Sequence, residues 1–125
     1  MNKKELLHII SQGENIQIEF KENFNKQVIE TVVAFSNKSG GTIILGVNDK
    51  KETVGITITE ETVQKWINEI KQNTEPSVFP NFQIVEVDGK TLVVANVDEF
   101  PLKAVSYKGR YYARKMNSNH HLALA

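Results

Sequence analysis

The apolar positions along the chain change spacing several times, and each change marks a new element. Leu6, Leu7, Ile9 and Ile10 give one apolar side to a short helix over residues 3–11, which Gly13 ends. Residues 14–23 (ENIQIEFKEN) switch to a period of two. Ile16, Ile18 and Phe20 then share one face of a strand, and Gln17, Glu19 and Lys21 share the opposite, wet face. Val28, Ile29, Val32, Val33 and Phe35 return to helical spacing, with Asn23 or Asn25 as the cap and Gly40-Gly41 as the break. The run TIILGVN (42–48) is apolar and rich in β-branched residues, as a central strand buried on both faces would be. After a polar turn, TVGITI (53–58) is expected to return as the next strand.

The clearest helix is TEETVQKWINEIKQ (59–72). Thr59 is its expected cap, Glu60 and Glu61 suit the positive end of its dipole, and Val63, Trp66, Ile67 and Ile70 form the inner stripe. Thr62 lacks the acid or amide of a capping box, so none is expected. Pro76 and Pro80 close the segment. FQIVEVDGKTLVVANV (82–97) reads as two strands joined at Asp88-Gly89, and VSYKGRYYARK (105–115) as a second hairpin turning at Lys108-Gly109. This order predicts one α+β domain over residues 1–125, with a mixed β-sheet of about six strands and three helices. The ending, NSNHHLALA (117–125), reads as the first turn of a new apolar helix, and a longer protein continuing past residue 125 is expected from it.

Composition narrows the functional classes. The 125 residues are 40% hydrophobic, enough for one core. The absence of cysteine excludes thiolate zinc sites, cysteine nucleophiles and disulfide scaffolds, and agrees with a reducing cytoplasm. No stretch has the length of a membrane span. Fifteen basic and fifteen acidic residues cancel, so any nucleic-acid contact has to come from a local patch. One patch is legible: Lys103, Lys108, Arg110, Arg114 and Lys115 lie in a stretch without Asp or Glu, interleaved with Tyr107, Tyr111 and Tyr112. Cations there can neutralise phosphates and aromatic faces can stack on unpaired bases. The plainer reading is strand pattern, with tyrosines favoured in strands and basic residues guarding an edge.

Two other groups carry candidate chemistry. Glu14, Glu19 and Asp49 could together hold a hard divalent ion for phosphodiester cleavage, since such ions want several carboxylate oxygens. Against that, Glu19 and Lys21 are same-face neighbours, an ordinary solvated ion pair. The Gly40-Gly41 pair follows a helix and precedes a strand, the reverse of a phosphate loop, and no Gly-Lys-Ser/Thr signature accompanies it. A helix cap and tight turn is the expected role, and ATP binding is not expected of these residues.

ENIQIEFKEN, VVAFSNKSGGTIILGVND, VGI and YYARKMNSN, in this order and spacing, resemble the pattern of the Schlafen AlbA-like domain. The likeness runs over residues 6–119. That domain opens many prokaryotic proteins described as transcriptional regulators or RecG-related ATP-dependent helicases, so the resemblance implies a role with nucleic acid. In animal Schlafen proteins, related domains cleave structured RNA with three carboxylates. Two of these match Glu14 and Glu19; the third falls on Asn48, a neutral and weaker ligand, with Asp49 one residue later.

The leading expectation is a non-catalytic nucleic-acid-binding module of a cytoplasmic regulator or helicase-related protein, binding DNA or RNA with weak sequence preference. Lys108, Arg110, Arg114 and Lys115 would contact phosphates, Tyr112 or Tyr107 would stack, and Lys21 would extend the patch. This reading requires no cofactor. The first alternative is a metal-dependent RNA or DNA endonuclease using Glu14, Glu19 and Asp49 with Mg²⁺ or Mn²⁺. The second is a dimerisation or docking domain, with a homodimer formed through an exposed edge strand.

Overall fold

The computed structural model describes residues 1–101 and 104–122. Lys103 of the basic stretch lies outside them. Helix α1 (Lys3–Gln12) is capped by the Asn2 side chain, which accepts from the Glu5 N–H, and ends at Gly13 with φ 85°. Strand β1 (Ile18–Lys21) leads into α2 (Lys26–Asn37), where the Asn25 side chain accepts from Gln27 N–H. Then come β2 (Gly41–Leu45), α3 (Glu60–Asn73), β3 (Thr74–Glu75), β4 (Asn81–Val87), β5 (Lys90–Val97), β6 (Ser106–Tyr107), β7 (Arg110–Lys115) and β8 (Ser118–Leu122).

Among the described residues eight strands form two four-stranded sheets, not one sheet of about six. The first has the order β1-β2-β5-β4, and the second β3-β6-β7-β8. In the first sheet β1 and β2 are parallel, joined across α2, and the other pairs are antiparallel. Both hairpin turns fall where the sequence puts them. Asp88 and Gly89 have φ of 49° and 78°, Lys108 and Gly109 49° and 81°, the double positive φ that suits strands of right-handed twist.

Period two explains the packing. Ile43 and Leu45 of β2 face a core built from α2, with Trp66 and Ile70 of α3 and Val93, Ala95 and Val97 of β5. Ile44 points the other way, into a second core with Phe20, Leu92 and Val94 beneath Leu6 and Ile10 of α1. The central strand is therefore buried on both faces. Beyond α2 lies the second sheet, so α2 is sandwiched between the two sheets and buries eight residues. Each fully buried Val, Ile or Phe there contributes roughly 1.5–3 kcal/mol relative to exposure. Trp66 packs as its stripe predicts, stacked on Phe24 with centroids 5.0 Å apart.

Four local expectations need correction. Residues 53–58 do not form a strand: only an isolated bridge, Val47 to Thr53, closes the loop, and Val54 and Gly55 donate back to Gly46 O. Thr62 does help cap α3, because its hydroxyl accepts from the Thr59 N–H at 2.9 Å, a role a threonine can share with the usual acid. Ser118–Leu122 is no helix start but strand β8, paired with β7 through a turn at Met116, whose φ is 56°. Glu19 is not on a wet face. It is 7% exposed, because the second sheet and α2 cover the side of β1 that alternation assigned to water.

Candidate nucleic-acid interface

The alternation of β7 divides the basic stretch. Arg110, Tyr112 and Arg114 share the face toward α2, while Tyr111, Ala113 and Lys115 face away. Depth along the strand then separates the inward three. Arg110, beside the turn, stays exposed; Tyr112 is buried at 8% and Arg114 at 1%.

Arg114 is the hub of an internal network. Its Nη2 donates to Glu19 Oε2 at 2.7 Å and to the carbonyls of Asn15 and Ile18, each at 3.2 Å. Its Nη1 donates to Asn119 Oδ1 at 3.0 Å, and Asn119 donates in turn to the Thr31 hydroxyl of α2 at 2.8 Å. The guanidinium lies 5.1 Å from the centroid of the Phe35 ring. The Nε finds no acceptor among the described residues. Arg114 therefore ties β1, α2 and β8 together and is removed from the phosphate-facing surface expected of it, while Tyr112, expected to stack, is buried apart from the part that lines the cavity described below.

Phe35 holds its place because Gly41 has no side chain: a Cβ there would come within 2.7 Å of the ring. Asn37 closes the same corner. Its amide donates to the carbonyls of Val105 and Tyr112 at 2.9 and 2.8 Å, and its carbonyl accepts from Val105 N–H at 2.6 Å. The backbone N–H groups of the turn are occupied internally, Ser39 by the Glu99 carboxylate and Gly40 by Phe35 O, so they offer no phosphate cradle.

The three acids meet different fates. Glu14 is half-buried and accepts from Phe20 N–H at 2.9 Å. Desolvation raises its pKa above the ordinary 4.5. The Glu19 carboxyl raises it further, whereas the Phe20 N–H and Arg114 pull it down. Glu14 and Glu19 thus form a carboxyl pair against Arg114. Asp49 does not join them: it is exposed in the loop after β2, and no group of three acids or histidines positioned to hold a metal occurs among the described residues. Asn48 holds that loop, its carbonyl accepting from the N–H of Lys50 and Glu52 and its amide donating to Glu52 Oε1. The expected carboxylate triad is replaced by a pair plus an arginine.

What remains at the surface is a smaller and differently composed basic site. Lys108 and Arg110 at the β6–β7 turn meet Lys26 and Glu30 of α2, with Tyr107 and Tyr112, around a cavity of about 300 Å³. The Lys108 ammonium lies 5.8 Å from the Tyr107 ring centroid. Lys21 sits near the same helix end, donating to Gln27 Oε1 at 3.2 Å and lying 3.5 Å from Glu19 Oε1. Lys115 is exposed at the far end of β7, about 17 Å from Arg110 at the usual rise per residue. Sequence reasoning missed Lys26 and Glu30. They stand one helical turn apart, the spacing that puts two residues on one face, but only the fold brings that face to the hairpin.

A family model described as Schlafen, AlbA_2 matches residues 14–123. The chain belongs to the Schlafen AlbA_2 family. The AlbA_2 blocks at 14–23, 32–49 and 111–119 are those the Glu14–Glu19–Arg114 network and its Phe35 support draw together. Among solved structures, the chain resembles the N-terminal domain of a RecG-related protein of Nitrosomonas europaea, provisionally named an ATP-dependent DNA helicase. The TM-score is 0.70 with 28% identity, covering 100% of this chain and 95% of that one. A protein from Corynebacterium diphtheriae shares the fold at TM-score 0.69 and 16% identity, over 85% of this chain and 22% of that one. An uncharacterized ATP-binding protein of Ureaplasma parvum is 49% identical over an alignment of 45 positions that covers 33% of this chain and 13% of that protein. The AlbA_2 chain thus spans a small part of that relative's length. No helix among its described residues is long and apolar enough to cross a membrane.

Proposed function

We propose that this AlbA_2 chain is a nucleic-acid-binding module of a cytoplasmic RecG-related or ATP-binding protein, and that it grips the phosphate backbone with Lys26, Lys108 and Arg110, extended by Lys21. The observation that carries the reading is the convergence of three exposed cations from two elements on one cavity beside two tyrosines. The Nitrosomonas neighbour, named for a DNA helicase relationship, supports the same direction. Cations gripping phosphates make contacts that are the same for every sequence, so binding is weakly sequence-selective.

Charge reversal tests the placement. Lys108→Glu with Arg110→Glu abolishes binding to a labelled oligonucleotide at low salt, with the thermal midpoint unchanged. Undiminished affinity in that double variant refutes the site. Lys115→Glu, on the outward face, has a smaller effect.

Cleavage is a separate reading. The Glu14–Glu19 pair is the observation in its favour, and Asp49 stands apart from it. Asn48→Asp adds a carboxylate at the loop. Mn²⁺-dependent strand cutting by this variant, lost on Glu19→Gln, would support a nuclease scaffold. Intact strands would remove that reading.

A further inference from the structure

Building on the backbone-binding reading, we propose that the cavity between the start of α2 and the β6–β7 turn holds one unpaired nucleotide of a single strand. The phosphate lies toward Lys26, Lys108 and Arg110, and the base lies on Tyr107. Four observations lead there. The cavity, about 300 Å³, is closer to the size of one nucleotide than of a duplex edge. Its charged lining is three cations against one carboxylate, a net attraction for a single phosphodiester. Tyr107 is partly exposed, and the exposed Lys108, with its ammonium 5.8 Å from the ring centroid, already uses one face of the ring as a π surface. A base takes the same position when this one flexible side chain moves aside.

The fourth observation is the carboxylate. Glu30 Oε1 stands 3.5 Å from the Tyr112 hydroxyl, so an acceptor and a hydroxyl are held side by side at the cavity. A surface built only to neutralise phosphate gains nothing from an acid among its cations. An acid beside a stacking ring can accept from the amino group of a base or from a sugar hydroxyl, groups within reach only when the nucleotide is unpaired and turned out. Paired bases in a duplex expose their phosphates and keep their π faces stacked inside. The site therefore distinguishes single strands from duplexes through Tyr107, and binds both through its cations.

The test measures anisotropy of a labelled 12-residue oligothymidylate and of a blunt duplex of equal length, using the 125-residue chain and its variants. Wild type is expected to favour the single strand. Tyr107→Ala lowers single-strand affinity at least about fivefold, the low end of base–aromatic stacking, with duplex affinity unchanged; Tyr107→Phe keeps both. Because Tyr107 packs partly on the core, a second measurement avoids any folding defect: thymidine monophosphate titrated into wild type shifts the ring resonances of Tyr107 and Tyr112, and inorganic phosphate at equal concentration leaves the Tyr107 ring unmoved. Equal single-strand and duplex affinity, both insensitive to Tyr107→Ala, overturns the nucleotide pocket and leaves the backbone-binding reading standing. Shifts of the Tyr107 ring as large with phosphate as with the nucleotide also overturn it. Failure of wild type to bind either strand form overturns both.

Discussion

Replacing Arg114 by alanine separates a structural arginine from a phosphate-binding one. The side chain is 0% exposed, and its principal partner, Glu19, has a side chain only 10% exposed. Truncation removes the nearer, buried cation of Glu19 at 2.7 Å and leaves it only the half-buried Lys21 ammonium at 3.5 Å, beside a second carboxyl; it also strands the carbonyls of Asn15 and Ile18 as acceptors. An exposed ion pair would contribute about 0–1 kcal/mol. Breaking a buried pair from one side costs about 3–5 kcal/mol, because an uncompensated charge stays behind. Lost contact with Phe35 adds to that. Against a total stability of about 5–15 kcal/mol, the loss is a large share, and the thermal midpoint should fall by about 10–20 °C. The double variant Arg114→Met with Glu19→Leu removes both charges and recovers most of the loss, since a packed apolar pair can replace a buried ionic one. Urea unfolding followed by circular dichroism gives the three free energies. If Arg114→Ala unfolds within 1 kcal/mol of wild type while nucleic-acid affinity collapses, the residue acts at the surface and the buried-hub account is wrong.

Three further outcomes follow from the same geometry. Glu14→Gln keeps an oxygen for the Phe20 N–H and removes a carboxyl whose folded pKa is raised. The wild-type group favours the folded state below its unfolded value near 4.5 and loses that contribution as pH rises through the folded value. The variant is therefore more stable than wild type at pH 7, with the difference vanishing below about pH 4; a constant offset across pH would contradict this. Gly41→Ala forces a methyl against the Phe35 ring and should cost about 1–3 kcal/mol in chemical denaturation. Asn37→Ala breaks three hydrogen bonds to the β6–β7 segment and should lose about 2–4 kcal/mol, with faster hydrogen exchange at the Val105 amide as its local signature.

Helices were the legible part of this chain, because a 3.6-residue stripe and its caps are local. Leu6, Ile10, Val28, Val32, Trp66 and Ile70 are all buried where their spacing puts them. Hairpin turns were equally local, set by Asp88-Gly89 and Lys108-Gly109. Burial of strand faces was not, since alternation says which residues share a face and not what lies against it. Glu19 and Arg114 look like solvated charges in sequence, and each is buried because the other, from a strand 95 residues away, satisfies it. Asn37 reads as a helix-end residue and acts as a clamp on a distant backbone. The basic site was half legible: Lys108 and Arg110 belong to one turn, whereas Lys26 and Glu30 arrive from α2 through packing alone.

The most direct test of the nucleic-acid role is a salt series. Affinity of the chain for a labelled duplex, a single strand and a structured RNA is measured with Mn²⁺ present, and part of each sample is run on a denaturing gel. With each of the four cations, Lys21, Lys26, Lys108 and Arg110, neutralising a separate phosphate of the duplex, the slope of log affinity against log salt is roughly −3 to −4, with strands intact. The slope should become shallower by about 1 for each cation removed. A complex indifferent to salt, or no complex at low salt, would contradict the account.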